Sequence, residues 1–257
     1  MQITHLAYSL ASPEEAEAAK DHLEQVYGLK YISTRPRRGL LTIDMTDGNM
    51  ALALTYYQHD APPKEATAAG PAPNIHHIGF DVDDFDRYAN DVTENDYELF
   101  SAPGQVPVKF RTPGGTVAEF APAPFFVRRA TEKTPLPIKH IALRLPSRDI
   151  AAEASRYYQD IWGFKSVDCR EREGRYTHDL SDGKLTFAVT YHPDDCDGPP
   201  RIHHIGFEVD DFEERAQAIQ DAGYEILTKP GKVPFRYIAP GGTAVEFVPP
   251  PYFSERI

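Results

Sequence analysis

The chain has 257 residues, 41% of them apolar and 26% charged, the make-up of two ordinary globular domains or one large one. Its formal net charge of -12 argues against a nucleic-acid partner, and no apolar run nears the roughly 18 residues needed to span a bilayer. Only Cys169 and Cys196 are present, in no metal-binding spacing, which excludes a disulfide framework. The opening MQITHLAYSL carries neither the basic flank nor the small-residue cleavage site of a secretory signal, so a reducing cytoplasm is the expected location.

A strand-like run, ITHLAYSL, comes first. The polar segment SPEEAEAAKDHLEQVYG then predicts a helix, with Ser12 as N-cap and Gly28 as its stop. Short strands follow, turned at TDGN, and lead through the linker QHDAPPKEATAAGPAPN to a second unit. That unit opens on the strand IHHIGFDV, continues as the helix-like DDFDRYANDVTENDY, and closes on strands around VPVKFRTPGGTVAEFAP. After PAPFFVRRATEKTPLP the whole plan starts again at IKHIALRL. His5 matches His140 at an offset of 135, whereas His77 matches His204 and Glu119 matches Glu246 at 127. The shift arises in the second-half linker HPDDCDGPPR, which is shorter than its first-half counterpart. The chain is a tandem duplication, with domains expected over residues 1–125 and 137–257. Each divides again, so the expected fold is α+β: four β-α-β-β-β modules in curved mixed sheets around a cleft.

Side chains alternate across a strand. In IHHIGFDV, His76, Ile78, Phe80 and Val82 are predicted to face one way, with His77 and Gly79 facing the other. By the same alternation His5 shares a face with Ala7, His140 with Ala142 and His204 with Gly206. Each of these four histidines therefore has a very small neighbour, which leaves the space a site needs and a packed core would fill. Glu119 and Glu246 lie in short apolar strands, with Phe120 and Phe247 opposite, and a carboxylate there is costly unless paired or metal-bound. Two His and one Glu from neighbouring strands make the donor set used by non-haem Fe(II) and some other divalent metals. His76 and His203, on the opposite face, are expected to be structural.

The modules, the strand-initial histidines and the closing PGGTVAEF and PGGTAVEF strands resemble the vicinal oxygen chelate superfamily. That superfamily includes glyoxalase I, methylmalonyl-CoA epimerase, extradiol ring-cleaving dioxygenases and bleomycin-resistance proteins, and the resemblance covers nearly the whole chain. It implies two metal sets, His5, His77, Glu119 and His140, His204, Glu246. Some members pair module one with module four, which would exchange His5 and His140 between them. Isomerases of the superfamily typically add a fourth ligand, Glu or Gln, where this chain has Ala53 and Ala188. A three-ligand site with open positions suits Fe(II).

The function this implies is an Fe(II) extradiol-type ring-cleaving dioxygenase acting on a catechol- or hydroquinone-like molecule with vicinal oxygens. Extradiol enzymes place a Tyr where this chain has Lys109 and Arg236, with Tyr237 one residue late and Phe110 its counterpart. Their acid-base His would fall near Leu185, and His192 and Tyr191, matched by Tyr57 and Tyr56, stand nearby. The catalytic candidates are therefore His192, Tyr237, Tyr57, Arg236 and Lys109, the two cations serving to hold a substrate carboxylate or to stabilise anionic charge. The alternatives are a redox-silent isomerase, epimerase or lyase using Mn(II), Zn(II), Ni(II) or Co(II), and a metal-free resistance protein that sequesters a small molecule. A homo-oligomer is compatible with each reading.

Overall fold

The computed structural model describes residues 1–37, 39–58, 63–130 and 133–257. Residues 59–62 of the first linker and 131–132 of the segment joining the halves lie outside the described residues.

The first unit contains β1 (Ile3–Leu10), α1 (Pro13–Tyr27), β2 (Lys30–Arg37), β3 (Leu40–Thr46) and β4 (Ala51–Tyr57). Helix α1 starts and stops for the reasons its sequence gives. The Ser12 side chain accepts from the Glu15 amide at 3.1 Å, Pro13 opens the first turn, and Gly28 ends it at φ 69°. Its buried face is Ala16, Ala19, His22, Leu23 and Tyr27.

The second unit begins after a short helix in the linker, α2 (Lys64–Ala68), and contains β5 (Asn74–Val82), α3 (Phe85–Glu94), β6 (Val108–Arg111) and β7 (Val117–Pro122). One strand fewer forms here than in the expected module. The stretch SAPGQVP offers two prolines with no amide donor, so pairing shrinks to a single bridge between Leu99 and Phe110.

The second half repeats this order as β8 (His140–Arg144), α4 (Arg148–Asp160), β9 (Lys165–Arg172), β10 (Arg175–Ser181), β11 (Thr186–Tyr191), β12 (Arg201–Glu208), α5 (Phe212–Asp221), β13 (Phe235–Ile238) and β14 (Ala244–Val248). Its own missing strand is the bridge between Ile226 and Tyr237.

All the strands join one open, curved, 14-stranded sheet. Within each half the module-opening strands run antiparallel, β1 against β5 and β8 against β12. The halves meet in the sheet at Ile75 opposite Ile202.

The core is shared rather than divided between the halves. Tyr27 of α1 stacks on Phe207 of β12 at 3.9 Å, and Trp162 after α4 packs on Phe80 of β5 at 4.4 Å. Each such side chain, fully buried, contributes on the order of 2 kcal/mol. Polar contacts are exchanged in the same reciprocal way. Asp47 accepts from the Ile138 amide and Asp182 from the Ile3 amide, both at 2.9 Å. The helices and apolar side chains occupy one face of the sheet, which leaves the His and Glu face of each half open to a cleft.

Candidate metal centres

Register explains how the donors converge. In the first half His5, Gly79 and Glu119 sit side by side on β1, β5 and β7, and Ala7, His77 and Val117 form the neighbouring row. Gly79 lies between a ligand on each side, and a Cβ there would stand 2.9 Å from His5 Cβ and 3.1 Å from Glu119 Cγ. Gly206 repeats this between His140 and Glu246, with a Cβ 2.8 Å from His140 Cβ. Gly79 and Gly206 are thus steric requirements of their clusters.

The structure brings together His5, His77 and Glu119, and separately His140, His204 and Glu246, each set buried with its donor atoms within 4.8 Å of one another. His5 Nε2 and His77 Nε2 lie 3.5 and 3.2 Å from Glu119 Oε1. In the second half His140 Nε2 is 4.0 Å from Glu246 Oε1, and His204 Nε2 is 3.4 Å from Oε2. An ion bound at ~2.1 Å places adjacent ligands ~3 Å apart, close to these spacings. Among the described residues, the Nε2 atoms of His77 and His204 are buried with no hydrogen-bond partner. Leaving such an atom unsatisfied costs ~1–3 kcal/mol, so both sets fit a divalent metal.

The other ring nitrogens are spoken for, and that selects the tautomer. The Ala51 carbonyl accepts from His5 Nδ1 at 3.0 Å, which leaves Nε2 with its lone pair. Thr186 Oγ1 lies 2.7 Å from His140 Nδ1 and donates its own proton to the Lys139 carbonyl, so it accepts from the imidazole. Burial, resisted by the nearby glutamate, pushes both His5 and His140 down to about 3, so the rings are neutral at physiological pH. Burial would raise Glu246, but His204, Arg236 and His140 outweigh it and hold the carboxyl ionised well below its usual range.

The doubled histidines depart from strict alternation. Both β5 and β12 carry a bulge at the pair, the ladder passing from Ile75 to His77 and from Ile202 to His204. Bulging turns the first histidine toward the second, with Nδ1 atoms 3.1 Å apart in His76–His77 and 2.7 Å apart in His203–His204. His203 Nε2 in turn lies 3.4 Å from Asp195 Oδ2. A carboxylate there favours the proton on Nε2, so His203 Nδ1 accepts from His204 and the latter's Nε2 faces the cluster as a lone pair. Each first histidine therefore lies against the second rather than away from it, a contact that alternation alone hid.

The catalytic candidates divide. Tyr57 lines the first cleft and His192, its counterpart, the second. Burial and the nearby Arg144, Arg175 and Arg236 lower His192 to about 4. Lys109 and Arg236 stand directly opposite the glutamates, Lys109 Nζ 3.7 Å from Glu119 Oε2 and Arg236 Nε paired with Glu246 Oε2. Tyr237 does not join either cluster. It is fully buried on the opposite face of β13, its hydroxyl 2.6 Å from His22 Nε2 and 2.9 Å from the Tyr27 hydroxyl. Alternation forces this, because Arg236 beside it already faces the cleft.

Further residues shape the clefts that the sequence did not single out. Phe126 stacks on His5 at 4.5 Å and Phe253 on His140 at 4.6 Å. These lids are tied down by the acidic residue of each HHIGF strand: Asp81 accepts from the Phe126 and Val127 amides, and Glu208 from the Phe253 and Ser254 amides. Arg35 and Arg129 flank the buried Asp44 in one half, and Arg170 and Arg256 flank Asp179 in the other. All three arrangements keep the repeat offsets, the one signal that could have found them. Ala53 and Ala188 line the two clefts with methyl groups.

Comparison with known proteins follows the same lines. A family model described as Glyoxalase/Bleomycin resistance protein/Dioxygenase superfamily matches residues 2–120 and 137–247. No curated protein matches the chain by sequence. A triple mutant of 4-hydroxymandelate synthase from Streptomyces coelicolor superposes with a TM-score of 0.71 at 16% identity, covering 96% of this chain and 91% of that one. A halotolerant catechol dioxygenase gives 0.62 at 16% identity, with 96% and 85% covered. A hypothetical protein from Staphylococcus aureus gives 0.58 at 10% identity, with 96% and 98% covered. At these identities the likeness is one of fold. Among the described residues no helix is long and apolar enough to cross a membrane. With the family match spanning both repeats, the chain belongs to the Glyoxalase/Bleomycin resistance protein/Dioxygenase superfamily.

Proposed function

We propose that the protein is a divalent-metal enzyme, an Fe(II) dioxygenase of the extradiol type that cleaves a catechol- or hydroquinone-like ring. The observation that carries this reading is the pairing of a neutral two-histidine, one-glutamate set with an alanine at the fourth ligand position. His5, His77 and Glu119, or His140, His204 and Glu246, would hold the ion, whose open positions would take two substrate oxygens and dioxygen. The chain's own residues do the rest. Gly79 and Gly206 keep the donors at their spacing, and the Phe126 and Phe253 rings shield one side of the site from water. His192, neutral at physiological pH, offers a nitrogen to accept a proton from a substrate hydroxyl, and Tyr57 is its hydroxyl-bearing counterpart. Lys109 and Arg236 lie against Oε2 of Glu119 and Glu246 and would put positive charge where substrate oxygens ionise.

One observation favours a second reading. The two triads are equally complete, as in a redox-silent isomerase or lyase that works from both halves. Metal content per chain after anaerobic purification, followed by oxygen uptake on diphenols, separates the two. Iron with oxygen uptake supports the dioxygenase; manganese, zinc, nickel or cobalt without uptake refutes it; absence of any metal refutes both.

A further inference from the structure

The second cleft contains a cation whose charge is left incompletely met. Arg144 ends β8 on the face that carries His140 and Ala142, lines the second cleft, and is only 5% exposed. Asp195 Oδ2 lies 3.1 Å from its Nε, outside hydrogen-bond geometry, and also faces His203, while Asp195 Oδ1 is engaged by Arg201. Among the described residues, neither Nε nor Nη1 of Arg144 has a hydrogen-bond partner. A buried guanidinium keeps its charge and presents a planar fork that matches a carboxylate.

The surroundings point the same way. Although the chain carries a net charge of -12, the second cleft is lined by four arginines, Arg144, Arg170, Arg236 and Arg256, against the carboxylates Asp179 and Glu246. Arg170 and Arg256 are paired with Asp179 and Arg236 with Glu246, whereas Arg144 has Asp195, which it shares with Arg201 and His203. Along β8 its Cα lies ~13 Å from that of His140, and both residues line the same cleft. The cleft as a whole has a volume of about 190 Å³, small enough for a single ring. The first half has Ser9 at the matching position, so this feature belongs to the second cleft alone.

We infer that the second cleft takes a single-ring substrate bearing a carboxylate, which the Arg144 guanidinium holds while the vicinal oxygens reach the His140, His204 and Glu246 end. The oxygen end of this inference rests on the proposed function; the carboxylate end does not.

The test compares protocatechuate with methylcatechol, its carboxyl-free analogue, by anaerobic titration calorimetry on the metal-loaded protein. A charge-assisted pair at a dry site predicts that protocatechuate binds roughly 10- to 100-fold tighter. Arg144→Met should abolish that preference and leave methylcatechol unchanged, and Arg144→Lys should restore part of it. Equal affinities in the unaltered protein, or equal weakening of both ligands by Arg144→Met, would overturn the inference. Benzoate titrated against chelator-treated protein reads the carboxylate contact with no metal present. Benzoate binding that depends on Arg144 sustains the inference even where metal analysis defeats the dioxygenase reading, and benzoate binding indifferent to Arg144→Met removes it.

Discussion

A single methyl group at Gly79 should empty one metal site and leave the other filled. The backbone there is ordinary extended strand, so alanine meets no conformational penalty, only a steric one. Its Cβ would lie 2.9 Å from His5 Cβ and 3.1 Å from both Cγ and Oε1 of Glu119, where carbon contacts settle at ~3.5–4.0 Å. Relieving that overlap costs ~1–3 kcal/mol and drives apart two of the three donors of the first set. Donor sets tolerate displacements of only ~0.5 Å, so metal affinity in that half should fall by at least the ~10- to 100-fold seen when ligand support is lost. Elemental analysis of Gly79→Ala should read one metal per chain where the unaltered protein reads two. Gly206→Ala should do the same from the other side. Gly114→Ala is the control, because its Cβ would clash with Ala154 at 2.8 Å on the helix face. It should lower the melting temperature comparably, by ~2–4 °C per kcal/mol, with both metals retained. If Gly79→Ala keeps two metals at unchanged affinity, the row of His5, Gly79 and Glu119 is not what holds an ion.

Other consequences can be measured separately. Tyr237→Phe removes hydroxyl contacts to His22 and Tyr27 and should cost ~1 kcal/mol in urea unfolding, with metal content and turnover unchanged; a selective loss of turnover would restore it to the site. Acid should destabilise the chelator-treated protein. Burial lowers His5 and His140 to about 3 and His22 to about 4, while unfolded histidine titrates near ~6.5. The unfolded chain takes up protons that the folded one refuses, so this stability is present above ~6.5 and lost as pH falls toward the folded values. The loss should be ~1 kcal/mol per histidine in the first pH unit below 6.5. Equal unfolding free energies at neutral pH and one unit below 6.5 would contradict it. Glu208→Gln removes the charge that anchors Phe253 and should weaken second-cleft ligand binding with little change in metal content; unaltered binding would mean that the lid does not matter.

Four histidines and two glutamates were legible because two independent periodicities agreed on them: the strand period of two and the repeat offsets of 135 and 127. Helix α1 was legible down to its capping serine and closing glycine because those signals are local. The turn of His76 and His203 toward their neighbours is not legible, because a bulge is a property of a strand pair and leaves no mark in one strand. Tyr237 was placed by resemblance against the alternation that Arg236 imposes, and the alternation was the better guide. The Asp81 and Glu208 anchors and the Arg–Asp–Arg walls join residues about 45 or more positions apart, or on neighbouring strands whose pairing only the fold decides.

The exchange of Asp47 with Ile138 for Asp182 with Ile3 places the halves about a pseudo-twofold axis. Ile75 opposite Ile202, equivalent positions in the two copies, marks where that axis crosses the sheet. An interface in which residue i meets j and j meets i is the kind that two identical chains make. A half-length ancestor could have formed the same assembly as a homodimer, but every substitution would then have struck both clefts at once. Fusion removes that constraint. Arg144 can stand where the other half has Ser9, and His192 where it has Tyr57, so that one gene maintains two clefts of different appetite within a common frame.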